Sequence, residues 1–128
     1  MRSQDDDLAT MLVQAQPFIH SHDGDQRKEG ATRLRRAIER FCKELLVKFR
    51  HASGDNSAMI TDYDGKNYGD FSAQALALLT LDPAHKGKLT AAYYNYVTPG
   101  PHDDTPPSST QLKVAAGDLK RLKRDYLG

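Results

Sequence analysis

Apolar side chains recur at intervals of three and four residues along most of the chain, which is the spacing of an amphipathic α-helix. The clearest stretch covers residues 26–50, whose apolar stripe consists of Ala31, Leu34, Ala37, Ile38, Phe41, Leu45, Leu46 and Phe49. Basic side chains occupy many of the positions between them, so one face of this helix is expected to be buried and the other to meet solvent.

A shorter apolar-periodic stretch, from Leu8 to Ile19, precedes the long helix. Ser3 is its predicted N-cap, with the aspartates at residues 5–7 in the first turn, where carboxylates meet the positive end of the helix dipole. The polar residues 20–25 form a turn that ends on Asp25, the predicted cap of the long helix. The two helices are therefore expected to form an antiparallel hairpin.

The second half of the chain predicts three further helices. They are residues 71–81 with Asp70 as a possible cap, residues 84–97 after the pair Asp82-Pro83, and a last helix that begins after Ser108 or Ser109 and runs to Leu127. Long loops are expected before the first and before the last of them. Because no segment alternates as strands do, the predicted fold is an all-α bundle of about five helices, built on the hairpin, as one domain over residues 1–128.

The composition of the chain indicates which partners and which cellular compartment to expect. The formal net charge is only +1, so no overall field favours nucleic acid or membrane, although basic residues concentrate in residues 26–50 and 113–124. No stretch is long and apolar enough to span a bilayer, and no signal-peptide pattern is present. The single cysteine, Cys42, lies within the apolar pattern of the long helix, which indicates inert packing and a cytoplasmic location.

Candidate chemistry concentrates in residues 93–108, which contain four prolines and the sequence His102-Asp103. Proline fixes φ and removes a backbone donor, so this linker is expected to be stiff. A histidine beside a carboxylate can take and give a proton near neutral pH. In the simpler interpretation, His102 only hydrogen-bonds a helix end and Asp103 is a solvated turn residue. Glycine-rich nucleotide loops and zinc spacings are absent, so neither a cofactor nor a metal is expected.

Two segments resemble a known family. The sequence LRRAIERFCK, residues 34–43, resembles the second helix of HEPN domains, which are small helical modules of prokaryotic toxin–antitoxin and phage-defence systems. The sequence from Asn95 to Asp103 is similar to a variant motif of such domains, in which an asparagine precedes a proline and a His-Asp pair. The variant also resembles modules at the C-termini of SMC-like defence ATPases.

The resemblance implies a metal-independent endoribonuclease. His102 would act as general base or acid on the ribose 2′-hydroxyl or the leaving oxygen, Asn95 would position the phosphate, and Asp103 would complete the catalytic group. Residues expected to contact RNA are Arg36, Lys43, Arg50 and Tyr94. Two such sites would face each other across a homodimer. The chain departs from the family pattern at Tyr94, where an arginine is expected, so a basic residue of the long helix or Arg50 would have to replace it.

Two other functions fit the same residues. The domain could serve as a non-catalytic dimerisation or docking module of a larger defence ATPase, or as the partner of an antitoxin. In a third hypothesis the chain senses a nucleotide, whose phosphates would be held by Arg33, Arg36 and Lys43.

Overall fold

The computed structural model describes residues 7–97 and 106–128. The elements in chain order are α1 (Leu8–Ile19), α2 (Gly24–Ala52), a 3-10 turn (Ile60–Tyr63), α3 (Tyr68–Ala77), α4 (Ala84–Ala91), a π-helical turn (Ala92–Val97) and α5 (Ser109–Tyr126). This part of the chain contains helices and no strand, which confirms the predicted all-α bundle of about five helices. None of its helices is long and apolar enough to cross a membrane.

Helix α2 is the centre of the bundle. It contacts α1, α3, α5 and the π-helical turn, and the middle of its apolar stripe is completely buried at Leu34, Ala37, Ile38, Phe41 and Cys42. Burying one large apolar side chain contributes about 1.5–3 kcal/mol. The stripe predicted from periodicity is thus the surface on which the other helices pack, except that Phe49 at its end is half exposed.

The hairpin of α1 and α2 forms as predicted, but its caps differ. Asp7 is the N-cap of α1 and accepts a hydrogen bond from Thr10 N at 2.8 Å, whereas Ser3 lies outside the described residues. Asp23, not Asp25, is the N-cap of α2. The prediction of Asp25 was wrong because its backbone N–H is already inside the helix, where it donates to Asp23 Oδ1 at 3.0 Å.

A glycine permits the close approach of the two hairpin helices. A Cβ atom at Gly30 would lie 3.2 Å from the backbone carbonyl carbon of Phe18 and 3.3 Å from Ile19 N. These are backbone atoms, which cannot move aside as the end of a flexible side chain can. Gly30 therefore costs some helix propensity but allows α2 to cross the last turn of α1.

The start of α5 is held against the turn of the hairpin. Arg27 Nε donates to the carbonyl oxygen of Pro107 at 3.0 Å, and Ser109 Oγ donates to the carbonyl oxygen of Ile19 at 2.9 Å. Ser108 is the N-cap, as predicted, and forms a capping box with Gln111. The proline-rich linker thus has an anchored C-terminal end.

The loop after α2 is closed by Arg50. Its guanidinium donates to Asp55 Oδ2 at 2.7 Å and to Asp62 Oδ2 at 2.9 Å, so it bridges the helix end and the 3-10 turn. Hydrogen bonds from Ser57, together with Arg50, lower the pKa of Asp55 from 3.8 to about 2. A charge-assisted network of this kind stabilises a loop that contributes few apolar contacts.

The C-terminal end of α5 is joined to the α3–α4 connection by one hydroxyl group. Tyr126 Oη accepts a hydrogen bond from Leu81 N at 3.0 Å and lies 2.7 Å from Nδ1 of His85. The ring of His85 packs edge-on against that of Tyr126. Polar and aromatic contacts therefore join the start of α4 to the end of α5.

Tyr126→Phe is expected to lower the free energy of unfolding by about 1–3 kcal/mol, because Leu81 N and His85 Nδ1 lose their partner. Chemical denaturation monitored by circular dichroism measures this change. Tyr96→Phe is the matched control, since the described residues offer its hydroxyl no hydrogen bond. Equal stability of the two variants would contradict the role of the Tyr126 hydroxyl.

Asp55→Asn is expected to reduce the loss of stability in acid. A carboxyl whose pKa is lower in the folded state contributes stability above its unfolded pKa, here 3.8, and loses that contribution as the pH falls towards about 2. The melting temperature of the variant should therefore be lower at pH 6 and fall less steeply between pH 4 and about 2. Asp64→Asn is the control, because Asp64 is exposed and forms no ion pair within the described residues. A pH profile of Asp55→Asn parallel to the wild type would refute the assignment.

Candidate functional site

A π-helical turn positions the residues that precede the proline-rich linker. Tyr93 and Val97 are buried there, while Tyr94 and Asn95 are exposed between them. A π-helical turn has one residue more per turn than an α-helix and occurs often at functional sites. The turn thus presents Tyr94 and Asn95 to solvent at the point where α4 ends.

Three tyrosine rings meet beside this turn. The rings of Tyr68 and Tyr93 are stacked with centroids 3.8 Å apart and planes 11° from parallel. The Tyr94 ring lies edge-on to both, 5.1 Å from Tyr93 and 6.1 Å from Tyr68. Such pairs contribute about 0.5–1.5 kcal/mol beyond their buried area. Tyr94 alone is substantially exposed (54%), so the other two rings form a rigid support for it.

Helix α2 holds the stack through Glu39. Tyr93 Oη donates to Glu39 Oε2 at 2.9 Å. Burial raises the pKa of Tyr93, and the hydrogen bond to the Glu39 carboxylate raises it further. The hydroxyl therefore remains protonated at neutral pH and serves as a fixed donor.

A groove of about 460 Å³ opens beside the tyrosines, between α2 and the start of α3. Its charged side chains are Arg35, Arg36, Glu39 and Lys66, and Tyr93 and Tyr94 form its aromatic side. The single carboxylate, that of Glu39, already accepts the hydrogen bond from Tyr93. We call this region the tyrosine groove. It combines three cations with an exposed ring, which suits a ligand with both a phosphate and a planar base.

A second hollow lies next to the tyrosine groove along α2. It is lined by Met11, Arg36, Glu39, Arg40, Lys43, Ile60, Thr61 and Asp64, and has a volume of about 270 Å³. Arg36 and Glu39 border both cavities. Arg40 is bound to Glu44 at 2.7 Å, whereas Lys43 lies over the ring of Phe71, with Nζ 5.7 Å from its centroid. The basic face of α2 therefore continues from one cavity into the other.

The structure brings together some of the predicted site residues and separates others. Tyr94 and Arg36 both line the tyrosine groove, Asn95 follows Tyr94 on the same turn, and Lys43 lines the neighbouring hollow. Arg50 lies elsewhere, at the end of α2, and its guanidinium is bound to two aspartates. Both predicted catalytic residues of the linker, His102 and Asp103, lie outside the described residues.

The groove contains residues that the sequence did not single out as site residues. Lys66 comes from the loop before α3, Tyr68 is the first residue of α3, and Arg35 precedes the predicted Arg36. The one usable signal was the helical spacing of Arg35 and Glu39, which places them on one face of α2. Arg33, assigned to phosphates in the nucleotide-sensing hypothesis, instead binds Glu29 at 2.9 Å and lies over the ring of Phe18.

Cys42 is buried next to Tyr68, and its thiol is unreactive. Burial raises the pKa of its thiol to about 12, so the reactive thiolate is almost absent at neutral pH. The adjacent Tyr68 hydroxyl is also buried, and among the described residues it has no hydrogen-bond partner of good geometry. Cys42 therefore packs in the core, as its position in the apolar pattern predicted. The described residues contain no group of three or more His, Cys, Asp or Glu side chains suited to a metal ion.

In comparisons with known proteins, no family model, no curated protein and no solved structure matches the chain.

Tyr93→Phe is expected to lower the free energy of unfolding by about 1–3 kcal/mol, because it removes the hydrogen bond to the Glu39 carboxylate. Tyr94→Phe should have almost no effect, since its hydroxyl makes no hydrogen bond within the described part of the chain. Urea denaturation of the two variants tests the difference. If both variants had the same free energy of unfolding as the wild type, the hydrogen bond to Glu39 would not stabilise the stacked tyrosine rings.

Proposed function

We propose that the chain binds single-stranded RNA in the tyrosine groove and cleaves it with His102. The observation that carries this proposal is the meeting of Tyr94, Arg35 and Arg36 in one groove beside Asn95. Bases of single-stranded RNA are free to stack on exposed aromatic rings, while arginine and lysine neutralise the phosphates.

The electrostatics of the groove support an anionic ligand. Arg35 and Arg36 form no ion pair within the described residues, in contrast to the paired arginines 33 and 40 on the same helix. The Glu39 carboxylate is occupied by the Tyr93 hydroxyl, so it competes less for the neighbouring cations. An arginine without an internal partner can donate two parallel hydrogen bonds to a phosphate.

The proposed reaction needs no metal ion. His102, oriented by Asp103, would take the proton of the ribose 2′-hydroxyl, whose oxygen then attacks the adjacent phosphorus. The bond from phosphorus to the 5′-oxygen breaks, and the leaving oxygen takes up a proton. The products are a 2′,3′-cyclic phosphate and a 5′-hydroxyl end. Asn95, exposed on the π-helical turn, would position the phosphate.

A cation must stabilise the charge that develops on the phosphate. Arg50 is poorly suited because it is bound to Asp55 and Asp62. Arg36 is the better replacement for the arginine that the HEPN pattern would have at Tyr94, since it lines the same groove as Tyr94 and forms no ion pair within the described residues. In this proposal the site belongs to a cytoplasmic HEPN-like domain that acts as a homodimer.

A non-catalytic docking module is the second candidate. It is favoured by Tyr94, which stands where the family motif has its arginine, and by the engagement of Arg50 in the loop network. Such a module would keep the fold and the dimer but would cleave nothing, and its partner would be a larger ATPase or an antitoxin.

Binding and cleavage are tested separately with a fluorescein-labelled single-stranded RNA. Arg36→Ala and Tyr94→Ala should each weaken binding about tenfold, the loss expected for one phosphate contact or one stacked base. Arg121→Ala is the control, because Arg121 is also an exposed helical arginine but lies on α5 and does not line the tyrosine groove. Binding that is unaffected by the two groove variants would refute the RNA site.

His102→Ala and Asn95→Ala should abolish cleavage, because they remove the proposed base and the group that positions the phosphate, while RNA binding through Tyr94, Arg35 and Arg36 remains. Gel electrophoresis and detection of the 2′,3′-cyclic phosphate measure the reaction. If the wild type binds RNA but leaves it intact, the docking module replaces the nuclease. Cleavage that survives both substitutions would instead refute the assignment of His102 and Asn95 as catalytic residues.

A further inference from the structure

The surface between α1 and α5 combines apolar side chains of α1 with cationic side chains of α5. The whole of α1, from Leu8 to Ile19, has no charged residue. Val13 on this helix is 69% exposed, the largest exposure of any large apolar side chain in the described part of the chain. Helix α5 beside it is rich in lysine and arginine.

A groove of about 370 Å³ lies between the two helices. Its apolar floor comes from α1 and its rim from α5, and the residues concerned are Ala9, Leu12, Val13, Lys120, Lys123 and Arg124. We call it the α1–α5 groove. It shares no lining residue with the tyrosine groove, which is formed by α2, the start of α3 and the π-helical turn.

The rim keeps a positive charge. Lys120 is exposed and forms no ion pair within the described residues, and Lys123 Nζ donates to the backbone oxygen of Gly128, which also lines the groove, at 2.8 Å. Arg124 is partly neutralised by Asp125, whose carboxylate lies 2.9 Å from its Nε. An apolar floor with a cationic edge is therefore left uncovered by the chain's own described residues.

We infer that the α1–α5 groove docks an acidic amphipathic helix of a partner protein. Apolar side chains of such a helix, spaced by three and four residues, would cover Val13 and enter the groove, while its flanking carboxylates would meet the lysines. The charge complementarity sets the orientation and favours acidic partners over others. This docking surface is independent of the RNA site.

Two other occupants fit the surface less well. In a two-fold symmetric contact centred on this groove, each copy would bring its cationic rim to the other, and the groove lining holds no Asp or Glu side chain to compensate. An anionic lipid surface is best bound by several apolar side chains projecting from one face. Here Val13 is the one large apolar side chain of α1 that is mostly exposed.

The test uses the full chain and a fluorescein-labelled synthetic helical peptide with leucine on one face and glutamate on its flanks. A second peptide carries lysine in place of glutamate. The acidic peptide should bind at least about tenfold more tightly than the basic one, and its affinity should fall as salt is raised. Fluorescence anisotropy measures both affinities.

Groove variants locate the site. Val13→Asp and Lys120→Glu should each weaken binding of the acidic peptide about tenfold or more, through lost apolar contact and through repulsion respectively. Val114→Asp and Lys113→Glu are the matched controls, because both residues are exposed on α5 but do not line the groove. Circular dichroism confirms that all four variants remain folded.

Four results would overturn the inference. The acidic peptide does not bind, or the control variants weaken binding as much as the groove variants do. Alternatively, the chain sediments with vesicles of phosphatidylcholine and phosphatidylserine in a manner that Val13→Asp abolishes, which assigns the groove to lipid. Finally, light scattering shows a dimer that Val13→Asp dissociates, which assigns it to a second copy.

Discussion

Burial of the apolar stripe of α2 is the interaction on which the rest of the structure depends. Every other helix that packs in the bundle touches this helix directly or packs on one that does. Because Leu34, Ile38 and Phe41 are completely buried, a polar side chain at any of them would disturb several interfaces at once. The same helix carries Arg35, Arg36 and Glu39 on an adjoining face, so the core also fixes where the groove side chains stand.

The fold was largely predictable because periodicity is a property of the helix itself. Residues 26–50 were recognised within two residues of the observed helix at each end, Gly24 and Ala52. The ends were harder to predict, since Asp23 and Asp25 are chemically equivalent and only the backbone geometry decides which one caps. The change from α-helix to π-helix at Ala92 had no signal in the apolar pattern.

The candidate site was predictable only where local sequence carried the signal. Tyr94 and Arg36 were chosen from a tyrosine cluster and a basic helix, and their meeting in one groove depends on tertiary packing that no spacing rule describes. Tyr68 belongs to the site only because its ring stacks on Tyr93, which lies on a distant helix. Arg50 is the opposite case, because the sequence suggested that it contacts RNA, but in the structure its guanidinium binds Asp55 and Asp62 and closes a loop.

Because of the π-helical turn, the tyrosine groove depends on the number of residues in that turn as well as on their identity. One extra residue turns the following side chains by about 100° relative to an uninterrupted α-helix. The side chain that contacts Glu39 and Tyr68 is that of Tyr93, inside this turn. Loss of a single residue between Ala92 and Val97 would restore a regular α-helix and change which side chains of the turn face the groove. Related sequences with a different number of residues in this turn would therefore keep the helical bundle but lose the tyrosine groove, even if all their other substitutions are conservative.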